Sequence, residues 1–101
     1  MTPARKALIV LTSHDRLGDS GRPTGFWWEE LAEPYRVFCE AGIETDLASI
    51  RGGEPPADPA SLSGEGARVA SVHAFRADPA AMAKLRAARP QDLEQIFELE
   101  Q

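Results

Sequence analysis

The chain has one cysteine, Cys39, so it cannot close an intrachain disulfide, and that usage fits a reducing compartment. It has no long apolar run. Ala7 to Thr12 is the best stretch, too short for a signal-peptide core with its cleavage site and far too short to span a bilayer. It has no basic excess either: the formal charge is −5, and residues 1–52 carry six Lys or Arg against eight Asp or Glu. Counterion release on phosphate needs clustered cations, so nucleic acid is not an expected partner, nor is a membrane. A cytoplasmic location is the expectation.

Histidine is scarce, with only His14 and His73 in the chain. His14 has Asp15 and Asp19 close by, but the three lack the regular spacing of a ligand set, and loop hydration is the plainer reading. His73, near Val72 and Phe75, reads as a satisfied histidine under a loop. No metal and no cofactor are expected. Cys39, next to Phe38 near the C-terminal end of a helix and with no base nearby in sequence, reads as a packing thiol.

What is present is the pattern of an α/β domain. At 101 residues the chain suits one domain but is short for a doubly wound fold, which takes about 150 residues or more to cover both sheet faces. Ala7-Leu8-Ile9-Val10-Leu11 is continuous rather than alternating, the mark of a parallel strand buried on both faces. Ser13 to Thr24, with Gly18, Gly21 and Pro23, follows as a loop at the strand's carboxyl end, where such folds place ligands. From Phe26 to Ala41 the residues Trp27, Leu31, Tyr35 and Phe38 make one helical stripe that stops at Gly42, with a kink or break expected at Pro34. This places Trp27 in the core and Trp28 at a pocket wall or subunit contact.

Ile43 to Ser49 reads as a second strand, completing a right-handed βαβ unit. The prolines and glycines between Ile50 and Gly66 forbid a persistent regular element. Asp78-Pro79 predicts an N-cap and first position for a helix running to Ala88, ending near Arg89-Pro90. Gln91 to Gln101 reads as a helix or as part of a third strand around Ile96-Phe97, and its acidic residues Asp92, Glu94, Glu98 and Glu100 as a solvated face or an acidic docking tail.

These residues stand in a familiar order: Leu11-Thr12-Ser13, Thr24-Gly25-Phe26-Trp27, Glu30, Pro34-Tyr35, Ala41-Gly42, Leu47-Ala48-Ser49, then Gly52-Gly53-Glu54-Pro55-Pro56-Ala57-Asp58-Pro59-Ala60-Ser61. Together they resemble the N-terminal half of ThiJ/PfpI-superfamily proteins (class I glutamine-amidotransferase-like), in the branch of glutathione-independent glyoxalases (glyoxalase III) and chaperone or deglycase proteins. Phe75 to Leu85 resembles the next helix of that family. The resemblance implies a flavodoxin-like three-layer αβα sandwich with a parallel sheet, of which residues 1–101 form a single, partial, βαβ-containing domain.

It further implies that Glu30 shuttles a proton to and from a nucleophilic thiol, with Ser13, Thr24, Gly25 and Trp28 in the binding region; adjacent Glu29 would merely complement the helix dipole. A carboxyl group beside a thiol can exchange protons with it and with a hydroxy-ketone intermediate. The family's Gly-Gly-His-Gly turn and Cys-His elbow, the source of thiolate and oxyanion donors, do not occur in these 101 residues. The expectation is therefore a truncated relative without activity alone. One chain of a split glyoxalase or deglycase, acting on a small carbonyl substrate when a complementing C-terminal chain is present, is an alternative; a non-catalytic homo-oligomerising or chaperone-like module is another. Methylglyoxal dismutation, deglycation, amide hydrolysis and chaperone activity all stay open.

Overall fold

The structure, a computed structural model, describes residues 5–90. Strand β1 (Lys6–Leu11) leads into a small hairpin of β2 (Arg16–Leu17) and β3 (Arg22–Pro23), followed by helix α1 (Trp28–Glu40) and strand β4 (Glu44–Ser49). A segment with 3-10 turns at Pro59–Leu62 and Gly64–Arg68 precedes α2 (Ala70–Ala77), α3 (Pro79–Arg86) and the short strand β5 (Arg89–Pro90). β1 and β4 pair in parallel with Ile9 opposite Leu47, and β5 pairs in parallel with β4 at Ala48 and Ser49. The sheet order is β1-β4-β5. This mixed α/β architecture, a parallel sheet with helices packed on it, agrees with the fold class read from the sequence and is compatible with part of a flavodoxin-like sandwich.

Ile9 and Leu11 point to one face of β1, as side chains two apart must, and Leu47 joins them from β4. Against them pack Leu31 and Ala32 of α1, Val72 and Phe75 of α2, and Ala81 and Leu85 of α3, one contiguous apolar cluster. Burying each such Leu or Phe is worth about 1.5–3 kcal/mol. β1 is less enclosed than its continuous apolar run predicts. Only Leu11 is buried, and Leu8 and Val10 on the opposite face stay partly exposed. The strand pairs with β4 on one edge, and among the described residues no strand lies on the other.

α1 begins two residues later than the sequence predicts, and that delay changes its phase. The buried stripe is Trp28, Leu31 and Ala32, continued by half-buried Tyr35, at spacings i, i+3, i+4 and i+7. Trp27 is the residue before the helix, in extended backbone conformation at φ −94° and ψ 123°. The expected placement of the two tryptophans is thus reversed: Trp28 is 6% exposed and Trp27 40%. Pro34 lies inside α1 without breaking it, since packing of the flanking stripe outweighs the one missing backbone bond. The helix stops in a Schellman arrangement: Ile43 N donates to Phe38 O (2.9 Å) and Gly42 N to Cys39 O (3.0 Å), with Gly42 at φ +75°.

Two helices stand between residues 69 and 90, where one was expected. Ala70–Ala77 has weak helix formers, Ser71, Val72 and His73, and becomes helical because Ser71, Val72 and Phe75 are buried together. His73 points away from that face and is exposed rather than tucked under a loop. Asp78 ends α2 and caps α3, its Oδ1 accepting from Ala80 N (2.9 Å) and Ala81 N (3.3 Å). Asp78→Ala should therefore lower stability by about 1 kcal/mol in urea unfolding, with Asp78→Asn close to the parent. Equal loss in both variants would rule out a capping role.

α3 stops at Arg86, two residues short of the expected Ala88, and Arg89-Pro90, where the helical pattern was expected to stop, forms β5. α3 is anchored to the sheet by Lys84, whose Nζ donates to Thr45 O at 3.0 Å. The helix or third strand expected within Gln91 to Gln101 lies outside the described residues. Among the described residues no helix is long and apolar enough to cross a membrane.

Candidate functional site

The loop after β1 and the start of α1 are held against the segment after β4 by a set of short bonds. The Phe26 amide donates to Pro56 O (2.9 Å) and its carbonyl accepts from Asp58 N (2.8 Å), an isolated parallel bridge to Ala57. Thr24 Oγ1 donates to Asp58 Oδ2 at 2.9 Å, and the other Asp58 oxygen accepts from Ala60 N at 2.9 Å. Gly25 passes so close to Pro56 that a Cβ there would overlap the Pro56 carbonyl. Nearby, Ser13 Oγ accepts from Arg51 N at 2.9 Å, joining the loops after β1 and β4. The hydroxyls of Ser13 and Thr24 therefore have loop-bracing partners, and neither residue lines the cleft described next.

That cleft, of about 450 Å³, runs along Ile9 to Thr12 of β1, beneath Gly25 to Trp27 and against Glu30 and Leu31. Its walls are apolar except at Thr12 and Glu30. Glu30 lies in the first turn of α1, its amide donating to Trp27 O at 3.0 Å, so carboxylate and indole are set one turn apart on one rigid frame. Glu29 is exposed but does not line the cleft. A carboxylate in this position, at the carboxyl end of a parallel strand, can give or take a proton from a bound carbonyl or hydroxyl compound.

Of the residues expected in the binding region, the structure brings Gly25 and Glu30 together and adds Thr12 and Trp27, which sequence reasoning did not assign to it. Trp28 instead fills the core, in edge contacts with Phe26 (4.9 Å between centroids) and Phe75 (5.8 Å), under the Arg76 guanidinium (5.6 Å). The signal that separates the two tryptophans is the stripe 28, 31, 32, 35, which uses Ala32; counting only large residues selects 27, 31, 35, 38 instead.

Cys39 is exposed, not a packing thiol. It lines a depression of about 210 Å³ between α1 and α2, with Tyr35, Arg36, Ser71 and Phe75. Beside it, burial pushes the Tyr35 hydroxyl's pKa up, partly offset by Lys84. Glu33 is held below the ordinary carboxylate range first by the nearby Ser71 hydroxyl and then by Arg36. Ser71 Oγ is itself buried without a partner at full hydrogen-bonding distance, so its effect on Glu33 is that of a long contact. Arg36 donates to Glu33 (2.9 Å) and Glu40 (3.0 Å) on the exposed side of the helix. His14 is exposed, its amide bonded to Thr12 Oγ1 at 3.1 Å.

Neither protein-family models nor curated protein sequences give a match to this chain. Two solved structures are similar. One is the Francisella tularensis rapid encystment protein of 24 kDa (REP24), with TM-score 0.76 and 32% identity over 90% of this chain. The other is a protein whose crystal structure carries the name APC35852, with TM-score 0.64 and 37% identity over 86% of this chain. The chain spans only 40% of the length of the first and 35% of the second.

Proposed function

We propose that the described residues supply the acid/base part of a ThiJ/PfpI-type site of the glutathione-independent glyoxalase or deglycase kind, with Glu30 as the proton-shuttling group. The observation that carries this reading is the placement of Glu30 in one cleft with Gly25, Thr12 and Trp27 at the carboxyl end of β1. The ordered likeness to the family over Leu11 to Ser61 supports it, and the similarity to two longer proteins at 32% and 37% identity supports the α/β frame on which it rests.

The reaction needs a thiol beside the carboxylate. The chain's only cysteine is nine residues further along α1, roughly 13 Å away at 1.5 Å per residue. It also sits at the opposite end of the helix. Cys39 cannot serve Glu30, so the 101 residues by themselves are proposed to lack turnover.

The test is lactate formation from methylglyoxal by the purified chain, by its Glu30→Gln variant, and by both mixed with the Cys-His-containing C-terminal portion of a ThiJ/PfpI-type protein. Lactate is expected only in the mixture, and at least 100-fold less with Glu30→Gln, about the smallest loss typical of a removed general acid or base. Turnover by the chain alone that survives Glu30→Gln would refute the assignment.

A further inference from the structure

The cleft has a recognition element that proton transfer does not require. Phe26 and Trp28 are each 6% exposed and locked edge-to-face in the core, whereas Trp27 between them is 40% exposed and lines the cleft. Its backbone is not free to move: its carbonyl accepts from Glu30 N (3.0 Å) and Leu31 N (3.3 Å), and its neighbour Phe26 is bridged to Pro56 and Asp58. Among the described residues the Trp27 indole joins no ring pair and no hydrogen bond. A large ring held on a rigid frame, with an open face and a free N–H, is a stacking platform.

The rest of the lining narrows what could stack there. Ile9, Val10 and Leu31 make the facing walls apolar, and Glu30 is the one charged residue in the lining. An exposed carboxylate in the lining of the cleft, on a chain of net charge −5, disfavours an anionic ligand. We propose that Trp27 makes the Glu30 cleft selective for neutral carbonyl compounds that carry an aromatic or similarly broad apolar substituent. The ring of the ligand lies on the indole and its hydroxyl group donates to the Glu30 carboxylate. This rests on the reading of Glu30 above for its chemistry, but the selectivity is a property of binding and is read without turnover.

The experiment titrates the full chain with 2-hydroxyacetophenone, hydroxyacetone, benzoylformate and benzyltrimethylammonium, followed by ligand-observed NMR and calorimetry. The aromatic hydroxyketone should bind at least about tenfold more tightly than hydroxyacetone, which corresponds to about 1.4 kcal/mol. Benzoylformate, an anion with the same ring, should bind more weakly than 2-hydroxyacetophenone. Trp27→Ala should bring the two hydroxyketones to the same affinity, and Glu30→Gln should keep the aromatic preference while improving benzoylformate.

Equal binding of the two hydroxyketones, or a preference that persists in Trp27→Ala, would overturn the proposal. Tighter binding of benzyltrimethylammonium than of 2-hydroxyacetophenone would also overturn it, reassigning the pair Trp27 and Glu30 to cations. A Trp27-dependent preference for 2-hydroxyacetophenone, seen when complementation yields no lactate, supports the selectivity and defeats only the glyoxalase reading.

Discussion

Gly25→Ala is expected to destabilise the protein by about 3 kcal/mol or more, a large share of the 5–15 kcal/mol that holds a typical domain together. The reason is steric and local. A methyl group at this position overlaps the Pro56 carbonyl and lies 2.8 Å from Ala57 N, and both are backbone atoms that no rotamer change can move aside. Relief requires parting the two segments, which breaks the bonds from Phe26 N to Pro56 O and from Asp58 N to Phe26 O, and pulls Thr24 from Asp58. In a chain of this size the midpoint of thermal unfolding should fall by roughly 15 °C.

Gly42→Ala is the control. Its left-handed conformation, φ +75°, makes alanine strained, but the position opens on free space. Its cost should be only about 1 kcal/mol. Urea unfolding of both variants, followed by tryptophan fluorescence, checks the contrast. A Gly25→Ala cost no larger than that of Gly42→Ala would show that the two segments do not close on each other as described. It would also remove the frame that presents Trp27 and Glu30.

The contrast shows why part of the fold was legible in the sequence. Elements defined by local patterns appear where the residues place them: β1 from its apolar run, β4 from Glu44–Ser49, the end of α1 from Gly42, and the start of α3 from Asp78-Pro79. Elements decided by long-range contact do not. α2 is helical because Ser71, Val72 and Phe75 are buried where α2 packs on α1 and α3, not because its residues favour helix. β5 is a strand because Arg89 and Pro90 meet Ala48 and Ser49, some forty residues away in the chain.

The candidate site divides in the same way. Glu30 and Gly25 enter the candidate site through a resemblance of order and spacing, and both line one cleft. Thr12 joins the site as the residue just past β1, and the involvement of Trp27 depends on where helix α1 begins, a boundary that is among the least legible features of a sequence. The hydroxyls of Ser13 and Thr24 fit a binding loop equally well on paper; only the structure shows Arg51 and Asp58 engaging them.

The two adjacent tryptophans turn that one-residue difference of phase into a large measurable effect. Trp28→Ala should cost about 3–5 kcal/mol, the usual range for deleting a buried aromatic ring. It leaves a cavity among Phe26, Leu31 and Phe75 and removes two edge-to-face contacts, at 4.9 and 5.8 Å, together with the Arg76 cation at 5.6 Å. Trp27→Ala removes a ring that packs on nothing in that core, and should change stability by no more than about 0.5 kcal/mol.

Conservative variants give a reading that does not depend on unfolding. Trp27→Phe leaves only buried Trp28 to emit, so its fluorescence should be blue-shifted and weakly quenched by iodide. Trp28→Phe leaves only Trp27, which should emit further to the red and be readily quenched. The opposite pattern would mean that α1 is turned by about 100° from the arrangement described here, the angle between successive helical residues. Glu30 would then turn with Trp27 out of the cleft, so the stability and quenching of these four variants bear on the candidate site as directly as any assay of its chemistry.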